Sequence, residues 1–460
     1  MPRDIESNIE GLLWPAIPSP GGTTNLCLLY QLENSQWWPT EILESFQFKQ
    51  LTKVLSHAYR TIPFYHDCFD KAGINPQEVH TKEQLSKIPL LTRQQVQKAG
   101  HGLLSNNIPK SHGPTFETST TGATGLPVKV TNTILASQFW KVLYLREHQW
   151  HDRDLSQILA AIRYHKKDSA MPPAGERAKV WGSPELGTFK TGPAVLLNIT
   201  SSIAEQADWL CLHNPAYLMS YPSNIMALAN HFITEGKTIP NLVQVRTVGE
   251  ILGSEVRHAC REAWKVPVVD MYSCQELGVI ALQCPEHKHY HVQAESLVVE
   301  ILNEQDQPCA PGEIGRVVIT TLHNFAMPLI RYEVGDYAQV GESCECGRGL
   351  PVLTKVLGRQ RNLLTLPNGE KTWPVLGFIN KLTKDFPITQ AQFIQTSIDC
   401  IKARLVTEQS LNKEEEKKII SIIQKKLNYP FTIEIEYLDI IPRSKGGKYE
   451  DFKSEFSSRI

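Results

Sequence analysis

At 460 residues the chain is long enough for two or three ordinary domains, or for one large domain with a satellite. Its 47 lysines and arginines are balanced by 48 aspartates and glutamates, so no basic excess points to nucleic acid. Aromatic residues at 8% and the lack of long polar tracts exclude a largely disordered chain. No apolar run approaches the roughly 18–20 residues that cross a bilayer, and the opening MPRDIESNIEGLLWPAIPSPGG lacks the basic end and apolar core of a secretory signal. The expectation is a soluble, cytoplasmic protein with neither a nucleic-acid nor a membrane partner.

Residues 1–35, rich in Pro, Gly and Thr around Pro18–Thr24, read as an arm. A helical opening follows at about 37–97, where Leu51, Val54, Leu55 and Ala58 recur at helical intervals until Pro63 interrupts them. After a loop-like stretch at 102–118, a Gly/Thr-rich turn, TSTTGATGLPVKV, separates two extended segments. From about 131 to 300, apolar runs such as AVLLNI and VPVVDMY alternate with helical patterns, which predicts an α/β layered core. Residues 163–192 read as a polar insertion of surface loops, and 292–340 as short strands, VVEIL and GRVVITTL among them. The last hundred residues predict a strand at Phe393–Ile401, an amphipathic helix with Ile419, Ile420, Ile422, Ile423 and Leu427 on its apolar face, and a strand FTIEIEYL. Five lone cysteines (Cys27, Cys68, Cys211, Cys260, Cys400) read as small buried hydrophobes, and Cys309 lies in a probable turn, QPCAPGE.

Glycine-freed N–H groups and several hydroxyls at Thr118–Pro127 suit a loop that wraps phosphate, although an ordinary flexible connection would look alike. No G-x-x-x-x-G-K-[ST] is present, so this is not a Walker A loop. TTGATGLP resembles the phosphate loop S-S-G-T-T-G-x-P of the adenylate-forming (AMP-dependent synthetase/ligase) superfamily, in its phenylacetate–coenzyme A ligase-like branch. The resemblance nominates Thr120, Thr121, Gly122, Thr124 and Gly125 for ATP. Ala123 stands where a second hydroxyl is usual and Leu126 where a lysine is common. Four further stretches follow in the family's order. YSCQELG resembles Y-G-x-[ST]-E-x-G, which implies adenine stacking for Tyr272 and Mg²⁺ binding for Glu276. MPLIRYEVGDYA implies that Asp336 binds the ribose hydroxyls. KVLGRQRN resembles the domain junction, with Arg359 as its arginine and Arg361 as the hinge. PRSKGGKYED places the catalytic lysine at Lys448. TVGE resembles the adenine loop at Gly249 and Glu250, and IPFYHDCFDKAGINP and LSKIPLLTR resemble the branch's helical opening.

The resemblance implies an α/β fold: a large multi-layer adenylation domain over 1–357, with its AMP-binding core at about 115–357, and a smaller mobile α+β domain over 358–460. It implies activation of a carboxylic acid, aromatic by likeness to the branch, as an acyl-adenylate. The acyl group then passes to coenzyme A; a carrier protein, an amine, AMP transfer to a non-carboxylate acceptor, or a nucleotide-binding role without turnover are the competing readings. A homodimer also falls within what it implies. Tyr164, Tyr221 and Cys274 are candidates for the acid pocket; all three could equally be core residues, and a core position is the favoured reading for both tyrosines. Separately, Cys284-Pro-Glu-His287-Lys-His289-Tyr-His291 and Cys344-Glu-Cys346 space thiols and imidazoles as tetrahedral zinc requires. Cys284, His291, Cys344 and Cys346 are the preferred ligands, His291 because similar ligases commonly carry that histidine. His287 or His289 is the alternative, and free thiols beside solvated histidines the competing reading. Four protein ligands would make such zinc structural.

Overall fold

The computed structural model describes residues 4–119, 127–166, 169–374, 378–444 and 446–456. Among these, one long mixed sheet carries most of the chain. Its strands run in the order Leu297–Leu302, Ile314–Thr321, Tyr332–Val340, Val352–Arg359, Tyr290–Val292, Gly278–Gln283, Val268–Cys274, Gln244–Val248, Tyr217–Ser220, Leu159–Arg163, Ala194–Asn198 and Glu176–Ala178. The five strands from Val268–Cys274 to Ala194–Asn198 pair parallel. Parallel strands must be covered on both faces, which is why their sequences are continuously apolar. One face is covered by helices Ile203–His213, Pro222–Glu235 and Ser254–Trp264, packing Trp209, Leu228, Phe232 and Trp264. The other face takes Ile134–Trp150, with Val142, Leu143 and Trp150, and behind it Pro20–Ser35.

Pro20–Ser35 corrects the expected arm. Ser19 caps the helix by accepting from the Gly22 N–H, Pro20 occupies its first turn, and Leu29 and Leu32 are buried. The Pro and Gly that suggested an arm are the helix's start. Residues 163–192 are likewise more than surface loops. Glu176–Ala178 forms the sheet's edge, and Trp181, Glu185 and Phe189 are buried. The helical opening resolves into Thr40–Thr61, Pro63–Ala72 and shorter turns, with the break at Pro63 where it is expected.

Beyond Arg359 the chain builds a separate four-stranded sheet with the helix Lys413–Leu427 upon it. Asn412 and Glu415 form a capping box at its start. Ile419, Ile423 and Leu427 pack against Phe393, Ala403 and Leu405, each burial stabilising by about 1.5–3 kcal/mol. The strand expected at Phe393–Ile401 is two, Ile388–Gln395 and Cys400–Thr407, folded as a hairpin. Of the five cysteines expected to be buried, only Cys260 is; Cys27 and Cys211 are exposed.

Candidate active site

The carboxyl ends of the parallel strands, where adjacent crossovers part, form a natural cleft. Tyr272, near the end of Val268–Cys274, donates its hydroxyl to Asp336 Oδ2 at 2.8 Å. Asp336 and Arg359 face each other on paired strands, with Arg359 Nε 3.6 Å from Asp336 Oδ1. Burial, and then the Asp336 charge, push the Tyr272 phenol well above its ordinary pKa, so it is a neutral donor. Three residues from three separated motifs therefore meet at one point. Glu276 is buried beside them, 3.4 Å from Arg93 Nη1. Arg93 opens the Arg93–Ala99 helix, which Thr92 caps. Its place beside Glu276 was not foreseen, and its only signal was its position at the end of LSKIPLLTR. Thr120, Thr121, Gly122, Thr124 and Gly125 lie outside the described residues.

The carboxy-terminal loop closes over this cleft. Ser444 N–H donates to the Lys448 carbonyl and Lys448 N–H to Ser444 Oγ, forming a tight turn. Gly447 has φ +77°, and a Cβ there would lie 3.0 Å from Ile199 and 3.1 Å from Tyr164. Such a φ and such crowding require glycine. Tyr221 donates its hydroxyl to the Gly446 carbonyl at 2.9 Å. On the opposite wall Gly249, φ +79°, leaves room for Lys448: a Cβ would meet its Cε at 3.1 Å and its Nζ at 3.4 Å. Glu250 then locks the seam. It accepts from the Ser223 N–H at 2.9 Å and the Tyr449 N–H at 2.6 Å, with Arg443 Nη1 at 3.7 Å. Burial raises its pKa; the Tyr449 and Ser223 bonds and Arg443 work against that rise. Arg361 Nε reaches Glu450 Oε1 at 3.0 Å, tying the junction to the same loop.

A cavity of about 610 Å³ adjoins Glu276. It runs between the Ile134–Trp150 helix and the sheet, walled by Phe139, Trp140, Tyr144, Leu159, Met219 and Gly278. This differs from the expected acid pocket. Tyr221 is buried and committed to Gly446, and Tyr164 is 51% exposed outside the cavity, neither core nor pocket. Cys274 packs into the core on the side of Tyr272, and burial, then Glu276 and Asp336, push its thiol far up. The cavity walls were hidden because an apolar stripe on a helix reads as core whether or not it borders a void.

Further away, ligand atoms of Cys284, His289, His291 and Cys344 all lie within 4.8 Å of one another. His289 Nε2 is 3.0 Å from Cys344 Sγ, and Cys346 Sγ is 3.4 Å from His291 Nε2. The mutually close set thus holds both His289 and His291 with Cys284 and Cys344, and the expected ligand Cys346 stands beside it, against His291. The cluster staples the loop before Tyr290–Val292 to the loop following Tyr332–Val340, the strand that carries Asp336.

Comparison with known proteins agrees with this architecture. The CapK C-terminal domain family matches residues 370–455. A phenylacetate–coenzyme A ligase of Thermus thermophilus is 24% identical over 369 residues, spanning 75% of this chain and 76% of that protein. The crystal structure of a 2-hydroxyisobutyryl-CoA ligase in the postadenylation state, in complex with R3-HIB-AMP, superposes with a TM-score of 0.70, covering 92% of both chains at 16% identity. The same ligase in its thioesterification state superposes at 0.59, covering 98% of this chain and 97% of that one at 16% identity. The fold is the α/β fold of these ligases, a large amino-terminal part with a smaller carboxy-terminal one. No described helix is long and apolar enough to cross a membrane.

Proposed function

We propose that the chain is an ATP-dependent, adenylate-forming ligase. It activates a carboxylic acid as its acyl-adenylate and transfers the acyl group to coenzyme A. The observation that carries this reading is Lys448, held against Gly249 above the cleft in which Tyr272, Asp336, Arg359 and Glu276 converge.

A carboxylate has no usable leaving group, so its oxygen must first attack the α-phosphate of ATP and expel pyrophosphate. Negative charge gathers in that transition state, and aimed cations and donors accelerate it more than a protein nucleophile would. Lys448, a compact charge on a flexible stem that packs against Gly249, suits a bridge between the acid and the α-phosphate. Asp336 accepts the ribose hydroxyls, and Tyr272, fixed by its bond to Asp336, presents its ring to adenine. Magnesium bound with ATP supplies charge at the phosphates. Glu276 is the residue that would hold it: a buried hard oxygen donor at the cavity wall, with Arg93 Nη1 3.4 Å away.

For the second step, residues up to about 357 form the fixed part and those from 358 the moving one, with Arg361 at the hinge. The seam that must open for an acceptor joins Tyr221 to Gly446, Ser223 to Arg443, and Glu250 to Tyr449 and Arg443. Coenzyme A is the first acceptor to test, and a carrier protein or an amine the next. Zinc fits the four donors Cys284, His289, His291 and Cys344, since thiolate and imidazole are its preferred ligands, and there it would brace the Asp336 strand without entering the reaction.

Incubation of the enzyme with ATP, magnesium, coenzyme A and a panel of acids tests the reading. Acid-dependent formation of AMP and a thioester is expected. ATP turnover indifferent to both acid and coenzyme A would contradict it. Elemental analysis of the purified chain should find about one zinc per chain.

A further inference from the structure

The polar groups on the cavity wall differ in whether the protein already satisfies them. Strands Leu159–Arg163, Tyr217–Ser220 and Gln244–Val248 run side by side, with Ala161 level with Met219 and Met219 level with Arg246. Alternate residues of a strand share a face, so Leu159, Arg163, Met219 and Arg246 all point toward the Ile134–Trp150 helix, and all four line the cavity. At the deep end the charges are closed on themselves. Arg246 and Arg153 take the two oxygens of Glu147, and His148 Nε2 bonds Glu185 at 2.8 Å. Two carboxylates there face two guanidiniums, and burial holds His148 below its ordinary pKa, so the cluster has no net charge to offer a ligand.

Tyr144 differs. Trp140, Tyr144 and His148 follow one another at four-residue steps along one stripe of the helix, and all three line the cavity. Trp140 marks the upper level, because its ring lies over the Gly278 backbone beside Glu276: a Cβ on Gly278 would come within 3.1 Å of the indole. His148 marks the level of the closed cluster. Tyr144 stands between them, roughly 6 Å of helix from each. Its phenol is a neutral donor, since burial pushes the pKa up, against Arg163 and Arg246. Its oxygen receives the Trp140 indole N–H, a group that can only donate. Among the described residues nothing accepts the Tyr144 proton in return. Nor is the side chain sealed in protein, for Tyr144 is half-buried and borders the cavity together with Leu159, Met219 and Trp181. A donor without an acceptor thus stands midway down an otherwise apolar wall.

We infer that the acid activated by this enzyme carries a neutral oxygen substituent on an aromatic body, and that the Tyr144 hydroxyl donates a hydrogen bond to that oxygen. The substrate class is a hydroxy- or alkoxy-substituted aromatic acid. This rests on the ligase reading above: the reacting carboxylate lies toward Lys448, the ring descends past Trp140 between the helix and the strands, and the substituent arrives level with Tyr144. An anionic substituent would find the deep cluster already neutral. An unsubstituted ring would leave the Tyr144 donor desolvated and unmatched, which is how a site rejects an analogue that lacks the group it is built to bind.

The test is acid-dependent ATP–pyrophosphate exchange with benzoates and phenylacetates that carry a methyl, hydroxyl or methoxyl group at the 3- or 4-position. Methyl matches hydroxyl in size and cannot accept a hydrogen bond. The wild-type chain should prefer at least one oxygenated acid over its methyl counterpart by about tenfold or more in kcat/KM. Tyr144→Phe should bring that ratio to within about twofold of unity, chiefly by raising KM for the oxygenated acid. Exchange with no preference for oxygen, or a preference that survives Tyr144→Phe, would overturn the assignment and leave the ligase reading standing. A loss in Tyr144→Phe shared equally by methyl and oxygenated acids would do the same, because it marks a structural role. Absence of exchange by the wild type with every acid would overturn the ligase reading and this assignment with it.

Discussion

The two ends of the cleft are built on different physical terms. At the nucleotide end, single residues from distant motifs meet through short contacts: Tyr272 on Asp336, Arg359 beside it, and Lys448 leaning on Gly249 from a loop that a few hydrogen bonds hold down. At the acid end, Arg153, Glu147, Arg246, His148 and Glu185 form a buried, multiply bonded network beneath an aromatic wall. The first arrangement can open and close, since each contact is worth only about 0.5–1.5 kcal/mol net. The second cannot come apart without stranding charge in the core. A mobile lid over a rigid pocket is what two-step acyl transfer requires, because the lid must leave while the acyl group stays put.

The comparison can be broken most severely at the acid end. Glu147→Gln strands two buried arginines and should cost about 3–5 kcal/mol of stability, measured by urea unfolding. Burial alone would raise the Glu147 carboxyl, but Arg153 and Arg246 outweigh it and hold it well below the usual carboxylate range. A depressed folded pKa gives stability that is present above the unfolded value of about 4.3 and is lost as pH falls beneath it. The wild type should therefore lose stability with falling pH in that region, and Glu147→Gln should lose less of what remains. At the nucleotide end, Lys448→Ala should reduce acid-dependent exchange by about 10²–10³-fold with ATP affinity unchanged in equilibrium binding, since it removes one transition-state contact.

Smaller effects sharpen the contrast. Gly249→Ala places a methyl against Lys448 in a left-handed backbone, and exchange should fall by about tenfold while unfolding free energy drops by about 1 kcal/mol. Tyr221→Phe removes only the bond to Gly446. It should weaken closure by about 1 kcal/mol, read as a fewfold loss in exchange with no change in melting temperature.

The same contrast governs what could be read from the sequence. Short motifs carry Tyr272, Glu276, Asp336, Arg359 and Lys448 in the sequence; the structure brings Tyr272, Asp336 and Arg359 into contact and sets Lys448 against Gly249. The Cys/His cluster was visible in the spacing, although the convergence of both His289 and His291 needed the fold. The acid end was not legible. Arg163 and Arg246 are single charged residues in apolar strands, Trp140 and Tyr144 look like core, and Glu185 sits in a stretch that composition marks as surface. Register between strands over eighty residues apart decides that Arg163 and Arg246 share a face, and no local pattern encodes it. Tyr221 takes the core position favoured for it, and Tyr164 lies exposed, away from both core and cavity. They flank the Gly446–Gly447 turn, a contact with a loop more than two hundred residues away. The helix at Pro20–Ser35 was missed because its cap and first turn supply the residues that suggest an arm.

The central claim is that the closed cleft activates an acid on ATP before any acceptor enters. Exchange of labelled pyrophosphate into ATP, with magnesium and a broad acid panel but no coenzyme A, addresses it most directly. The account predicts exchange that appears only when a suitable acid is present. Intact ATP binding with no exchange under any acid would contradict it.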